Sequence, residues 1–283
     1  MPKPSADIAE GPLGNGRQNI PADPGTDRKQ GYRVFWQPGC TSCLRAKEFM
    51  ASHAIPFDSI NVIEHPSALD ELSARGIRAV PVIARGDEYV LGQDLDELAA
   101  FVGVSTRRER LDVPTLLQRL DRLLQVACAI THSLPPAAWN IKIPQRNRTY
   151  LDLGYHIAMI SEAIVDATEG AELTFARYEL RTPPECQSAE AVVDALDTAR
   201  LRLGTLARRP GIDPLRPLRT YFGERSLHVV LERTAWHVAQ HCRQLEHIAV
   251  EQLHTAPSDK LRAEDLTALP LPNAIWDPEI TTA

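Results

Sequence analysis

A small α/β unit followed by an all-α four-helix bundle is the fold class this 283-residue chain predicts, and three observations carry it. Residues 1–30 are rich in Pro and Gly and show no apolar periodicity, so they read as a disordered arm. From residue 31 to 106, short β-rich runs alternate with helical ones. From residue 111 to 256 the apolar spacing is helical with proline-rich breaks, and residues 257–283 form a tail.

In the α/β unit, Tyr32-Arg-Val-Phe-Trp36 reads as a strand, Pro38-Gly39 as a turn and Thr41 to His53 as a helix. Phe57 to Asn61 is a second strand, and Pro66 opens a helix that stops at Gly76. Val82-Ile83-Ala84 and Glu88-Tyr89-Val90 form a hairpin across Arg85-Gly86-Asp87. Asp94 caps a last helix through Phe101. Elements in this order make one sheet with helices on its faces.

In the second unit, Asp112 caps a helix from Leu116 to His132 that Pro135-Pro136 ends. Thr149 to Thr168 follows, stopped at Gly170, and a third helix runs from Ser188 to Arg208. The fourth opens at Ser226 and continues to His254. Amphipathic helices of this length bury their stripes most simply as a bundle. The connections 134–148 and 209–225 are long and are expected at the mouth of a site. Leu269 to Trp276 in the tail is expected to dock on the bundle.

Charge and composition exclude several classes. With 31 Lys+Arg against 37 Asp+Glu the net charge is −6, and neither half is basic, so no nucleic-acid partner is expected. No run of eighteen apolar residues exists, and Met1 to Gly31 lacks the order of a secretory signal, so no membrane association is expected. Five cysteines, an odd number, suit a reducing cytoplasm better than a disulfide scaffold. The oligomeric state is left open, a homodimer included.

Cys40-Thr41-Ser42-Cys43 lies where the first strand turns into the first helix. There the unpaired N–H groups and the helix dipole favour thiolate at Cys40. Cys43, one turn deeper, can close a disulfide after Cys40 has attacked, so the pair can cycle by exchange. The same spacing also serves as half of a zinc site, but no second C-x-x-C exists, and Cys128, Cys186 and Cys242 are isolated.

With Ala79-Val80-Pro81 and Gly92-Gln93-Asp94 added, residues 32–104 resemble the glutaredoxin family of the thioredoxin fold. The resemblance implies that Cys40 is the nucleophile and Cys43 the resolving thiol. It also implies that Val80 and a cis Pro81, with Gly92 and Asp94, line a groove for glutathione or a related thiol. Two departures stand out: Thr41-Ser42 replaces the usual Pro-aromatic pair, and Gln37 stands where a basic residue is expected.

On the fourth bundle helix, His237 and His241 lie one turn apart on a stripe with Val230, Thr234, Leu245 and Ile248. On the second, His156 shares a stripe with Leu153, Ile160 and Ile164. Three inward imidazoles can supply three ligands to a metal and leave positions for water or substrate, although an isolated HxxxH pair is often incidental. His156 together with His237-x-x-x-His241-x-x-Gln244-Leu245 makes residues 112–253 resemble the DinB/YfiT-like four-helix bundles. That resemblance implies a metal triad of His156, His237 and His241, and membership of a superfamily that includes metal-dependent thiol S-transferases. Zinc is expected first, with Ni, Fe or Cu as options for three imidazoles.

Other candidates read as packing or solvated groups: His132, His228, His247, His254, Cys242 and Arg208-Arg209. Trp139, Tyr150, Tyr155, Tyr221 and Phe222 lie in or near the long connections, where they wall a pocket or pack its rim. The two motifs together predict a cytoplasmic enzyme that uses a small thiol, with glutathione in view, on an electrophilic substrate. The bundle would run a metal-assisted transfer or conversion, and the dithiol unit would regenerate or deliver the thiol. The alternatives are a redox-responsive metalloprotein with no substrate of its own, and a zinc ion shared between Cys40/Cys43 and bundle histidines.

Overall fold

The computed structural model describes residues 31–143, 146 and 148–280; the arm expected over residues 1–30 lies outside them. The first unit runs β1 (Tyr32–Trp36), α1 (Thr41–Ser52), β2 (Phe57–Asn61), α2 (Pro66–Ala74), β3 (Val82–Arg85), β4 (Glu88–Leu91) and α3 (Leu95–Val102). Its sheet has the order β2-β1-β3-β4, with β1 parallel to β2 and antiparallel to β3. The central strands are apolar on both faces. Val34 and Ile83 pack with Ala46, Met50 and Leu98, whereas Phe35, Val82 and Ala84 pack with Ala68 and Leu72. Side chains that alternate in direction along a strand bury two layers at once.

The second unit contains α4 (Val113–His132), α5 (Tyr150–Thr168), α6 (Phe175–Glu179), α7 (Ala189–Ala207), β5 (Pro217–Thr220), β6 (Gly223–Ser226), α8 (Leu227–Glu246) and α9 (Ala263–Leu266). A π-helical turn, His247–Gln252, prolongs α8. Asp112, Ser188 and Ser226 accept from backbone N–H groups at the starts of α4, α7 and α8, and Thr149 with Asp152 forms a capping box on α5. Leu120 and Leu124 of α4, Ile157 and Ile164 of α5, Leu196 of α7 and Val238 of α8 are fully buried in one core. At Gly154 a Cβ would fall 2.9 Å from Thr131 Oγ1 and 3.1 Å from Val192 Cγ1, so the close approach of α5 to its neighbours needs glycine.

Within the connection expected as a loop over 209–225 the structure places the hairpin β5–β6, and α6 lies in an earlier connection. Both elements are too short to show periodicity. The hairpin is held through space instead: Leu173 N–H donates to Arg219 O, and Tyr221 N–H donates to Leu173 O.

Helix α8 is where the two units meet. Glu232, buried, accepts from Arg108 and Arg110 of the segment that joins the units, and Arg110 also pairs with Asp96 of the first unit. The Arg45 guanidinium of α1 lies 3.8 Å from the Trp236 ring. The tail docks on the bundle as expected, and also on the α/β unit. Gln240 donates to Ala274 O and Ile275 O, while Lys47 holds Asp277 at 2.6 Å and Glu48 accepts from the backbone of Asn273 and Ala274. Among the described residues, no helix is long and apolar enough to cross a membrane.

Burial works against ionisation of Glu232, but the hydrogen bonds and charges of Arg108 and Arg110 win and hold its pKa below the usual carboxylate value. Such a carboxylate stabilises the fold fully above its unfolded pKa of about 4.3 and loses that contribution as pH falls through the lower folded value. Glu232→Gln is therefore expected to lower the denaturation midpoint at about pH 7, with the gap to the parent chain closing below about pH 4. A gap that widens on acidification contradicts this.

Candidate functional site

The turn before α1 brings the chain round at Gly39, where φ is +79°, and leaves Cys40 as the N-cap. Its Sγ accepts from Cys43 N–H at 3.1 Å, and the two cysteines are joined as a disulfide with Cα atoms 5.2 Å apart. Cys43 is fully buried and Cys40 half-buried, so the outer sulfur is the one an incoming partner meets. The Val80–Pro81 peptide bond is cis, as the resemblance implied, and Cys40 Sγ lies 3.9 Å from Val80 O. Gly92 N–H donates to Pro81 O at 3.0 Å, and Asp94 caps α3 by accepting from Asp96 N–H. Val80, Pro81 and Gly92 thus gather beside Cys40 but are buried in the assembled chain, while Asp94 is half-buried.

Across the junction, the three histidines converge. His237 Nε2 and His241 Nε2 are 3.0 Å apart, and the His156 ring centroid lies 5.7 Å and 5.0 Å from theirs. One ring nitrogen from each falls within 4.8 Å of the others, and all three residues are buried. No cysteine joins this group among the described residues, and Cys40 is bonded to Cys43, so the shared-zinc arrangement is not formed.

Three features of the triad fit a metal ion. The first is tautomer control: the Gln244 amide gives its Nε2–H to Ile275 O and turns Oε1 toward His241 Nδ1 at 2.9 Å. His241 therefore donates from Nδ1 and presents the Nε2 lone pair. Second, His156 Nδ1 and His237 Nδ1 are buried with no hydrogen-bond partner. Third, the rings are held neutral, the protonation state a ligand needs. Burial first, then Arg148 and His241, lowers His156 well below its ordinary pKa; burial, His241 and Arg233 do the same for His237. Burial and then Arg146 bring His241 to about 3.

Several residues that sequence patterns did not single out tie the triad to the cysteines. Gln93, the middle residue of the Gly-Gln-Asp turn, donates to Val80 O at 3.0 Å and accepts from Arg233 at 3.0 Å and 3.2 Å. Arg233, one turn before His237, also donates to Tyr221 OH at 2.6 Å and lies over Tyr178, whose ring stacks on His237. On another side, the Arg146 side chain lies against Gly39 and donates to Gln244 Oε1 at 3.4 Å. Arg233 falls on the i, i+4 series of His237 and His241 and was legible in principle; Arg146 sits in an irregular connection and carries no local signal.

The residues set aside stay outside the cluster. Cys242 is fully buried against Leu123 O, His228 bonds Leu111 O at 2.8 Å, and His132 is exposed at the end of α4.

Comparison with known proteins divides the chain at the same place. Residues 33–90 match the sequence profile described as Glutaredoxin, and residues 106–245 match that of the DinB superfamily. Among similar proteins is the "Glutaredoxin-like protein NrdH" of Lactococcus lactis subsp. lactis. It is 35% identical over 66 residues, which are 23% of this chain and 92% of that protein. The protein of the same name from Salmonella typhimurium is 35% identical over 54 residues, 19% of this chain and 67% of its own. The "Global transcriptional regulator Spx 1" of Oceanobacillus iheyensis is 38% identical over 39 residues, 14% of this chain and 30% of its own.

Two outcomes follow from this geometry. After reduction by a dithiol, iodoacetamide is expected to label Cys40 first. Burial, then Asp197, holds Cys128 up at about 12, and burial raises the Cys242 thiol further. Mass spectrometry that finds Cys242 labelled ahead of Cys40 contradicts the assignment. Separately, Gln244→Leu frees the His241 tautomer and is expected to weaken zinc about 10- to 100-fold in competition with a chromophoric chelator. An unchanged affinity removes Gln244 from that role.

Proposed function

Because the chain belongs to the glutaredoxin family through residues 33–90 and carries a DinB-superfamily domain over residues 106–245, we propose that it is a thiol–disulfide oxidoreductase coupled to a metal-dependent site for small-thiol chemistry. The observation that carries this reading is a continuous path of contacts, hydrogen-bonded at its centre, from one motif to the other. Val80 O beside Cys40 is bonded to Gln93, Gln93 to Arg233, and Arg233 lies on Tyr178, which stacks on His237.

In the first half-reaction the Cys40 thiolate attacks one sulfur of a small disulfide, expels the other as a thiolate, and becomes a mixed disulfide. Cys43 then attacks the Cys40 sulfur and releases the second thiolate. The protein is left with the Cys40–Cys43 disulfide, and two electrons have passed to the substrate. Two equivalents of a small thiol such as glutathione return the pair to dithiol. A reducing compartment, the cytoplasm, suits that cycle.

In the bundle, His156, His237 and His241 would hold a divalent ion, zinc foremost. When bound, such an ion supplies a Lewis acid that lowers a thiol's pKa or polarises an electrophile. The chain's own part is to keep three imidazoles neutral, to orient His241 through Gln244, and to exclude bulk water by burial. The net reaction joins the thiol sulfur to an electrophilic carbon; in a substitution the thiol proton departs with the leaving group, and in an addition it passes to the substrate. The product or substrate disulfides of that thiol are the natural work of the neighbouring dithiol.

A second reading, a redox-responsive metalloprotein without its own substrate, draws on the burial of Val80, Pro81 and Gly92, which narrows access for a thiol peptide.

The test uses purified protein with its metal content measured. Hydroxyethyl disulfide reduction with glutathione or a dithiol is expected to vanish in Cys40→Ser and survive in His237→Ala. Thiol consumption with a panel of small electrophiles is expected to require both the ion and His237. Absence of Cys40-dependent turnover removes the oxidoreductase half. A tightly held metal with no thiol consumption leaves the sensor reading in its place.

A further inference from the structure

Helix α1 is closed all round at the end that carries the cysteines. Every residue from Thr41 to Lys47 is buried, and nearly two turns of helix present all faces, so no side of this stretch meets water. The sheet accounts for one side, where Cys43, Ala46 and Met50 enter its two cores. The remainder carries Thr41, Ser42, Arg45 and Lys47, polar residues that a helix lying on a lone sheet turns to solvent, yet each is 4% to 6% exposed. At Arg45 and Lys47 the cover comes from the second unit. Arg45 lies 3.8 Å from the Trp236 ring of α8, and Lys47 holds Asp277 of the tail at 2.6 Å.

The rim of Cys40 is built in the same way. The Arg146 side chain lies so close to Gly39 that a Cβ there would fall 2.8 Å from its Cγ. Its guanidinium lies 5.5 Å from the Trp276 ring, so the tail backs the connection that meets Gly39. Val80 O, 3.9 Å from Cys40 Sγ, already accepts from Gln93 Nε2, and Gln93 is fastened to Arg233 of α8. Cys40 itself keeps partial exposure. That access has a different value for different partners. A small disulfide brings only a few atoms to the sulfur. A mixed disulfide with a folded protein sets the partner's Cα about 5.5 Å from that of Cys40. Partner surface on the order of hundreds of Å² must then lie on a rim that this chain already occupies.

We propose that the second unit gates the dithiol by size: with the tail docked, Cys40 exchanges with disulfides of small molecules and is closed to disulfides on folded proteins. The Lys47–Asp277 pair and Trp276 hold the gate. Turnover in this form rests on the oxidoreductase reading, whereas the size limit is a property of one exchange step. In that step the Cys40 thiolate bonds to the target sulfur and expels the target's other sulfur as a thiolate. Cys43 then attacks the Cys40 sulfur and releases the target as a thiolate, which leaves the Cys40–Cys43 disulfide.

The test follows that step with the reduced full chain and two probes that share one leaving group. They are free cysteine and a ubiquitin carrying one surface cysteine, each as its mixed disulfide with thionitrobenzoate. Release of the coloured thiolate gives the rate. The rate of Cys40→Ser is subtracted to remove the half-buried Cys128 and Cys186, and each result is divided by that of free glutathione on the same probe. On this scale the parent chain is expected to take the ubiquitin probe at least about tenfold more slowly than the small one. Asp277→Lys, which sets like charges at the Lys47 contact, and Trp276→Ala are each expected to close most of that gap and leave the small-probe rate within about twofold. Both should also speed hydrogen exchange at Asn273 and Ala274, whose amides donate to Glu48. Adding Lys47→Glu to Asp277→Lys should restore the gap. Should either variant fail to fold by circular dichroism, the parent's ratio still decides. Equal normalised rates in the parent overturn the proposal, and so does a gap that persists once exchange shows the tail released. Size discrimination without hydroxyethyl disulfide turnover removes the oxidoreductase reading and leaves the gate standing.

Discussion

Helix α8 is buried around most of its circumference, and that constraint organises the molecule. It takes Glu232, Arg233, His237, Gln240, His241 and Gln244 out of water together. Each polar side chain so placed needs a partner or destabilises the fold by the cost of desolvating it. The partners come from everywhere else: Glu232 draws in the segment between the units, Arg233 draws in Gln93 of the α/β unit, and Gln240 and Gln244 draw in the tail. The two units are thereby held against one helix whose own polar groups set their positions. Two of the exceptions to full satisfaction, among several in the described residues, are informative. His156 Nδ1 and His237 Nδ1 have no partner, at the place where three imidazoles meet.

The tail has a role that its composition does not announce. Ile275 O accepts from Gln244 Nε2, which leaves the amide oxygen for His241 Nδ1. The orientation of one imidazole is thus set by a backbone carbonyl thirty-four residues further along the chain. On its other side the same tail holds Lys47 and Glu48 of α1, the helix that begins at the cysteine motif. A single segment therefore braces the dithiol helix and the metal-candidate helix together, and the geometry of one site is mechanically tied to the other.

The electrostatics of the two sites differ in kind. At the cysteines the helix start is a local feature, present as soon as β1 turns into α1, and only the Val80 carbonyl comes from elsewhere, forty residues on. At the triad burial first, and then remote cations, Arg148 and Arg146 at His156 and Arg233 and Arg146 at His237, keep the imidazoles neutral.

How much of this could be read from residue order follows from the range of the interactions. The N-caps Asp112, Thr149, Ser188 and Ser226 were legible because a cap bonds two or three residues ahead. The inward direction of His156, His237 and His241 was legible because helical stripes repeat within a few turns. The hairpin β5–β6 was not: its strands have four residues each and are pinned to Leu173, far back in the chain. By itself the chain determined a dithiol at a helix start and two helices with inward imidazoles, since both depend on short spacings. Only the tertiary structure decided that the two chemistries share a wall, because Gln93 and Arg233 are 140 residues apart and meet only when burial of α8 forces them to satisfy one another.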